Sequence, residues 1–297
     1  MLNLKNKLGK WGGFSVFILP AMIIYVLFMI YPLFSGTFVM AFQEYEPIRN
    51  IRKFVWLDNF KEIFSSDEFW TSFAVTIKYT ICVVLIANVL ALLLAMLIES
   101  VAGKFLKATF RNIFFIPYIV SGLIVGYLWK FMFTAVWPTL MEALGLTGLA
   151  SISWYGDYNM ALWGLIIQAV WKLMGFLIIL YIAGLQAIPG EVIEASMLDG
   201  CSMVQQKCKV VIPMLMSTIS VTLFLSIAEA FKQFDLAFVT MGGPGSATSL
   251  LSYEIYKTAF LNKSYGTSCA MALILMLIIG VVTVVQMSIT SRQEVNG

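Results

Sequence analysis

The chain has 297 residues, 60% of them hydrophobic and 12% charged, with a formal net charge of +3 and no histidine. Together with a mean hydropathy of +0.89, that is the composition of a polytopic membrane protein and not of a soluble domain. The missing histidine removes Ser-His and Cys-His nucleophile pairs, His-ligated metal sites and His proton relays, and the small charge, carried at the ends of apolar runs, gives no nucleic-acid-binding stripe.

A membrane span needs about twenty mainly apolar residues. Six runs qualify: 14–42, 69–98, 113–133, 160–185, 213–234 and 265–289. The first follows basic residues, as a signal peptide would, but runs on without a small-residue cleavage site and reads as a retained span. Pro20 and Pro32 in that run and Pro117 in the third predict kinks. Cys82 and Cys269 fall inside apolar runs; Cys201 and Cys208 lie seven apart in a polar stretch, and no C-x-x-C spacing suggests zinc or a redox pair.

In the fourth run Gln168, Trp171 and Gly175 recur at steps of three and four and share a helix face. That face can line a path for a polar solute or pack against a neighbouring helix. Lys172 points about 100 degrees away from Trp171.

Between the fourth and fifth runs the chain turns polar. Pro189 suits a helix start, Asp199-Gly200 is a turn pair, Ser202 and Gln205 can form a capping box, and Pro213 bars a simple continuation. Two short helices joined by a turn are expected, with the shape of a docking element.

Charged residues inside a span invite functional readings because each costs a few kcal/mol, roughly, at the bilayer centre. Glu229, Lys232, Gln233 and Asp235 cluster near the end of the fifth run. Glu229 and Gln233, four apart, can line a pathway; alternatively, Glu229 and Lys232, three apart, can pair and hold helices in register. The glycines of 242–248 lack the Lys-Ser/Thr of a phosphate-binding loop, so no ATP hydrolysis is expected and a tight turn is. No catalytic constellation and no metal site is expected.

Lys5, Lys7, Lys10, Lys104, Lys107, Arg111, Lys207, Lys209 and Arg292 flank the runs on one side. Arg49, Arg52, Lys53, Lys61, Lys257 and Lys263 are on the other, four of them in one longer loop diluted by acids. The positive-inside rule then places both termini and the Glu194 stretch in the cytoplasm.

The polar stretch resembles the EAA loop of ABC importer permeases: Glu194, Ala195, Gly200 and Pro213 stand at that motif's intervals, with Ser196, Val210 and Ile212 in place of its third alanine, isoleucine and leucine. Further pieces are similar to carbohydrate-importer permeases: 17–20 (Phe-Ile-Leu-Pro), 30–33 (Ile-Tyr-Pro-Leu), 56–60 (Trp-Leu-Asp-Asn-Phe), 69–70, 184–189 (Gly-Leu-Gln-Ala-Ile-Pro), 234–235, 241–244 (Met-Gly-Gly-Pro) and 265–266.

The resemblance implies an all-α membrane protein with six transmembrane helices and a cytoplasmic coupling helix between spans four and five, the type I ABC importer permease fold. It implies a six-span domain over 14–290, with its coupling loop at 187–213 and cytoplasmic ends 1–13 and 291–297. The implied function is half of a translocation pathway for a sugar or oligosaccharide in a bacterial plasma membrane. The implied partners are a second homologous permease, two ATPase subunits that carry ATP and Mg, and an external sugar-binding protein; no cofactor is expected on this chain.

In the coupling loop Glu194 would make a polar contact with the ATPase, Ile193, Met197 and Leu198 would fill its cleft, and Asp199 with Gly200 would form the bend, while Ala195 and Pro213 belong to the loop as motif positions. Gln168, Trp171, Gly175, Glu229 and Gln233 are candidates for the sugar path. The rival is an ion-coupled secondary transporter, which Lys172, Glu229, Lys232 and Asp235 would serve. No internal repeat between the halves supports it.

Overall fold

The computed structural model describes residues 18–46 and 51–295. Phe17, Lys5, Lys7, Lys10, Arg49, the start of the first predicted span at 14 and the Arg292 side chain lie outside the described residues. Two compact units emerge, one falling within Met1–Ser66 and Ile255–Ile274, the other within Asp67–Glu254 and Leu275–Gly297.

In the smaller unit, α1 (Ile18–Phe38) is a 21-residue apolar helix. Its turns widen at Val26–Ile30 and Leu33–Phe38, on either side of Pro32, as expected where a proline removes a backbone donor. A hairpin follows, β1 (Gln43–Glu46) against β2 (Ile51–Phe54), antiparallel with Gln43 opposite Phe54 and Tyr45 opposite Arg52. The Arg52 guanidinium sits 5.0 Å over the Tyr45 ring.

The short helix α2 (Asp58–Ser65) buries Asn59, whose Nδ2 donates to the carbonyls of Ala41 at 2.8 Å and Gln43 at 3.1 Å. Gly266 brings its backbone so close to the hairpin that a Cβ there would stand 2.0 Å from the Gln43 oxygen. Thr267 donates to Glu62 at 3.1 Å. Two of the quoted sequence motifs, Trp-Leu-Asp-Asn-Phe and Tyr-Gly, thus act as the anchors of one strand.

The larger unit is built on α3 (Asp67–Ser100) and α6 (Tyr158–Ala187), which pack on each other. Tyr79 and Ala87 of α3 and Leu177, Ile178 and Tyr181 of α6 are buried. Asp157 caps α6, accepting from the amides of Asn159 and Met160. α4 (Lys104–Ile119) packs on α6, and α9 (Met216–Phe231) packs on both α3 and α6. α5 (Gly122–Ala143) receives α10 (Asp235–Thr240), because Gly122 and Gly126 leave no bulk where Asp235 and Val239 approach. Further helices are α7 (Gly190–Leu198), α8 (Met203–Met214), α11 (Leu251–Tyr256) and α12 (Tyr265–Val295), with single turns at Thr147–Ala150 and Pro244–Ser246.

Among the described residues five helices are long and apolar enough to span a membrane, α1, α3, α5, α6 and α12 over Tyr265–Thr290, and there are six if the bent pair Met203–Met214 with Met216–Thr240 is counted as one span. The third span differs from expectation. The run 113–133 is divided by an extended break at Val120 and Ser121, so α4 ends just beyond Pro117 and the spanning helix starts at Gly122 and continues to Ala143. Hydropathy alone cannot see such a break, since both sides of it are apolar.

Pro213 does not end its helix either: a widened turn over Lys207–Val211 precedes it, relieving the clash of its ring with the carbonyl four residues back. The chain bends by 68 degrees just after, at Leu215.

Candidate functional site

Two places in the larger unit concentrate the sequence-predicted residues. The first is the loop between α6 and α9. Pro189 precedes α7 as its cap residue, one position before the predicted start, and Glu191 lies in the first turn, where a carboxylate complements the helix dipole. The helix closes on Gly200 at φ +79°. Cys201 N–H donates to the Ser196 carbonyl at 3.1 Å and Gly200 N–H to that of Met197 at 3.0 Å, the paired bonds of a Schellman ending.

Ser202 then opens α8 with a complete capping box: its N–H donates to Gln205 Oε1 at 2.9 Å, and Gln205 N–H to Ser202 Oγ at 3.3 Å. Gln206 Nε2 bridges the two arms, donating to Ser196 Oγ at 2.7 Å and the Ile193 carbonyl at 3.2 Å.

The tip is apolar and uncovered. Met197 and Leu198 are 60% and 89% exposed, and Met203 and Val204 join them at 80% and 71%. Glu194, Ala195, Asp199 and Gly200 are exposed beside them, Ile193 is half-buried, and Pro213 is exposed at the end of α8. Met203 and Val204 were missed in the sequence, although two large apolar residues straight after a capping serine are unusual in a polar loop.

The second place is a small cleft. It is lined by Tyr79 and Val83 from α3, Tyr118 from α4, Ala169, Lys172 and Leu173 from α6, and Glu229, Ala230 and Gln233 at the end of α9. Tyr118 stacks on Phe176, centroids 4.7 Å apart and planes at 11 degrees.

Of the predicted path residues, Glu229 and Gln233 line this cleft together. Gln168, Trp171 and Gly175 are not among its lining residues. Gln168 is buried and donates to the Tyr155 hydroxyl and, at 2.9 Å, to the Gly164 carbonyl. Trp171 meets Trp129 edge-on at 5.6 Å, and Gly175 receives the backbone of α4, its notional Cβ 1.9 Å from the Phe114 oxygen. Burial pushes the Tyr155 phenol above its ordinary pKa, so it stays a neutral partner for the amide.

The helix rotates a neighbouring stripe, Ala169, Lys172 and Leu173, into the cleft. Lys232 is exposed at the end of α9, and no ion pair joins it to Glu229 among the described residues. Tyr79, Tyr118 and Lys172 could have been suspected only as polar tips within apolar helices.

Several membrane-length apolar helices, an uncovered helical hairpin and a cleft that carries Lys172, Glu229 and Gln233 fit an integral-membrane transport subunit. The model of the family described as "Binding-protein-dependent transport system inner membrane component" matches residues 87–294, and the chain belongs to that family. It is 33% identical over 98% of its length to the probable starch degradation products transport system permease protein AmyD of Thermoanaerobacterium thermosulfurigenes, covering 97% of that protein. It is 31% identical to the multiple sugar-binding transport system permease protein MsmF of Streptococcus mutans, over 99% of this chain and 100% of that one. A chain of a bacterial ABC transporter involved in alginate import superposes with a TM-score of 0.84 at 20% identity, with 98% and 99% of the two chains covered. That match carries the fold. The chain is accordingly a multi-pass inner-membrane permease subunit, not an enzyme.

Proposed function

We propose that this permease carries a sugar or oligosaccharide and draws its energy from a separate ATPase through the Glu194 loop. The substrate class rests on the full-length likeness to permeases named for starch degradation products and multiple sugars. The single observation that carries the coupling role is the exposed apolar tip, Met197, Leu198, Met203 and Val204, on a hairpin braced by Gln206. Uncovered side chains of that size on a rigid element mark an interaction surface.

Ile193, Glu194, Ala195, Met197 and Leu198 make the ATPase contact, Asp199 and Gly200 form the bend, and Pro213 sets the exit. ATP and Mg belong to the two ATPase subunits, and this chain binds no cofactor. A second, homologous permease completes the pathway, an external binding protein delivers the solute, and both termini and the loop face the cytoplasm.

Glu229 and Gln233, with Tyr79, Tyr118 and Lys172, form this subunit's part of the sugar path, offering donors and acceptors to hydroxyls and aromatic faces to the ring. Gln168, Trp171 and Gly175 stand behind that wall and hold it. Nothing supports the ion-coupled alternative.

The test is mild-detergent purification of the tagged chain from its membrane, with mass spectrometry of stoichiometric companions and solute uptake by proteoliposomes loaded with ATP. A second six-span permease and a Walker A ATPase, with sugar uptake that needs ATP, is the expected result. The chain alone, accumulating solute under an ion gradient without ATP, would overturn the reading.

A further inference from the structure

Glu99, in the last turn of α3, is the meeting point of three helices. Its Oε2 accepts from Lys107 Nζ at 2.8 Å, and its Oε1 from Arg111 Nη2 at 2.8 Å and Gln186 Nε2 at 3.0 Å. Lys107 and Arg111 are four apart on the first half of α4, so both reach one carboxylate from one face. Gln186 is in the last turn of α6, four residues before α7 begins at Gly190. The Glu99, Lys107 and Arg111 side chains are only 21%, 28% and 33% exposed, so water screens this node less than it would a surface pair.

The node therefore grips the base of the loop and the start of α4 at once. α4 carries that grip elsewhere. Tyr118 lies seven residues beyond Arg111, two turns or about 10 Å along the same face, and lines the cleft while stacked on Phe176. Midway, the Phe114 carbonyl rests against Gly175, where a Cβ would come within 1.9 Å of it. A helix held at one end by a charge node, at its waist by a glycine contact with α6, and at the other end by an aromatic stack behaves as a strut.

We propose that Glu99 is a positioning residue for transport: through Arg111 it makes α4 a strut that ties the base of the Glu194 loop to Tyr118 in the cleft wall. The inference rests on the proposed role of that loop in receiving the ATPase. Movement of the loop's base then shifts Tyr118 relative to Glu229 and Gln233, and the solute path changes with the nucleotide state of the partner.

The experiment uses the complete complex, this chain with its co-purified partners, in proteoliposomes, and reads ATP hydrolysed per solute imported. With Glu99→Gln the expected result is hydrolysis within about twofold of wild type and uptake lowered at least fivefold, so that the ratio rises. Arg111→Met should do the same, while Glu99→Asp, which keeps the charge, should restore at least half of the uptake. Size-exclusion of the assembled complex checks that each variant folds; if Glu99→Gln does not assemble, Arg111→Lys, which keeps the charge but loses the planar fork, is read by the same ratio. An unchanged ratio in the variants, or a parallel loss of hydrolysis and uptake as a merely structural role gives, overturns the proposal. A wild-type complex that imports nothing under ATP overturns the coupling reading itself and this inference with it.

Discussion

Gln206 Nε2 donates to Ser196 Oγ at 2.7 Å, tying the second arm of the α7–α8 hairpin to the first. Ser196 is itself buried and turns its own hydroxyl to the Ile193 carbonyl at 2.7 Å, and the same carbonyl accepts from Gln206. The hairpin is thus rigid because of two polar side chains at its core, while its apolar residues face outward. The docking role proposed for it needs that inversion: a force applied at Leu198 reaches the spans only if the hairpin does not fold on itself.

Gln206→Ala removes both bridging bonds and should loosen the hairpin by about 1–2 kcal/mol. The expected outcome is ATP-driven uptake lowered severalfold with normal membrane insertion, read by transport assay beside an immunoblot of the membrane fraction. Gln206→Glu retains an acceptor but loses the donor and should behave like the alanine variant.

Gly200 adopts φ +79° to close the Schellman ending of α7, and nothing stands within 4 Å of its notional Cβ. Only the backbone conformation resists substitution there, not space. A β-branched residue should cost on the order of 1–2 kcal/mol of local strain, so Gly200→Val should uncouple ATP hydrolysis from uptake, whereas Gly200→Asn, which tolerates the left-handed region, should keep most of the transport. Equal transport by the two variants would count against a conformational role for the glycine.

Gly175 presents the opposite case. Its φ is ordinary, but the Phe114 carbonyl occupies the space of a Cβ, so Gly175→Ala must push α4 away from α6 and should destabilise the protein by about 1–3 kcal/mol. Gly280, in α12 with nothing within 4 Å, is the internal control: Gly280→Ala should be neutral or stabilising by up to about 1 kcal/mol. Thermal unfolding in detergent measures both.

These glycines also show what the sequence could and could not reveal. Gly200 was legible because Asp-Gly after a helical stretch has one common use, and Ser202 with Gln205 because a capping box is a local pattern. Gly175 was legible as a face but not as a contact: steps of three and four place it with Gln168 and Trp171, yet which neighbour meets that face depends on α4, whose end at Ile119 is set by tertiary structure. For the same reason the third span was placed too early. The Glu99 node joins positions 99, 107, 111 and 186, and no periodicity relates the last of these to the others. By contrast the charges of the fifth span were visible because a carboxylate in an apolar run is costly wherever it sits.

Tyr181 OH donates to Asn88 Oδ1 at 2.9 Å and accepts from Thr222 Oγ1 at 2.8 Å, and Asn88 Nδ2 donates to Ser226 Oγ at 2.9 Å. This chain of bonds joins α3, α6 and α9 in their buried middle. Tyr181→Phe leaves Asn88 with one acceptor unmet and should cost about 0.5–1.5 kcal/mol, in the range found for hydrogen bonds between spans. Asn88→Leu, which removes the acceptor of the Tyr181 hydroxyl and the donor to Ser226 and adds bulk, should cost more. The melting temperatures of the two variants should fall in that order.

Lys172 and Glu229 line the same cleft without forming an ion pair among the described residues, as the solute contact proposed for them requires. Glu229→Gln keeps the shape and one acceptor but removes the charge. If the carboxylate accepts from sugar hydroxyls, the loss of a charge-assisted bond of about 1.5–3 kcal/mol should lower uptake tenfold or more. The same variant should leave ATPase stimulation by the loaded binding protein close to wild type, since the Glu194 loop, the proposed ATPase contact, is untouched. Lys172→Met, of similar length and no charge, distinguishes solute contact from mere packing: uptake should fall while assembly and melting temperature stay put. Full transport by both variants would place the solute path elsewhere, in the partner permease, and reduce this cleft to a packing defect between α3, α6 and α9.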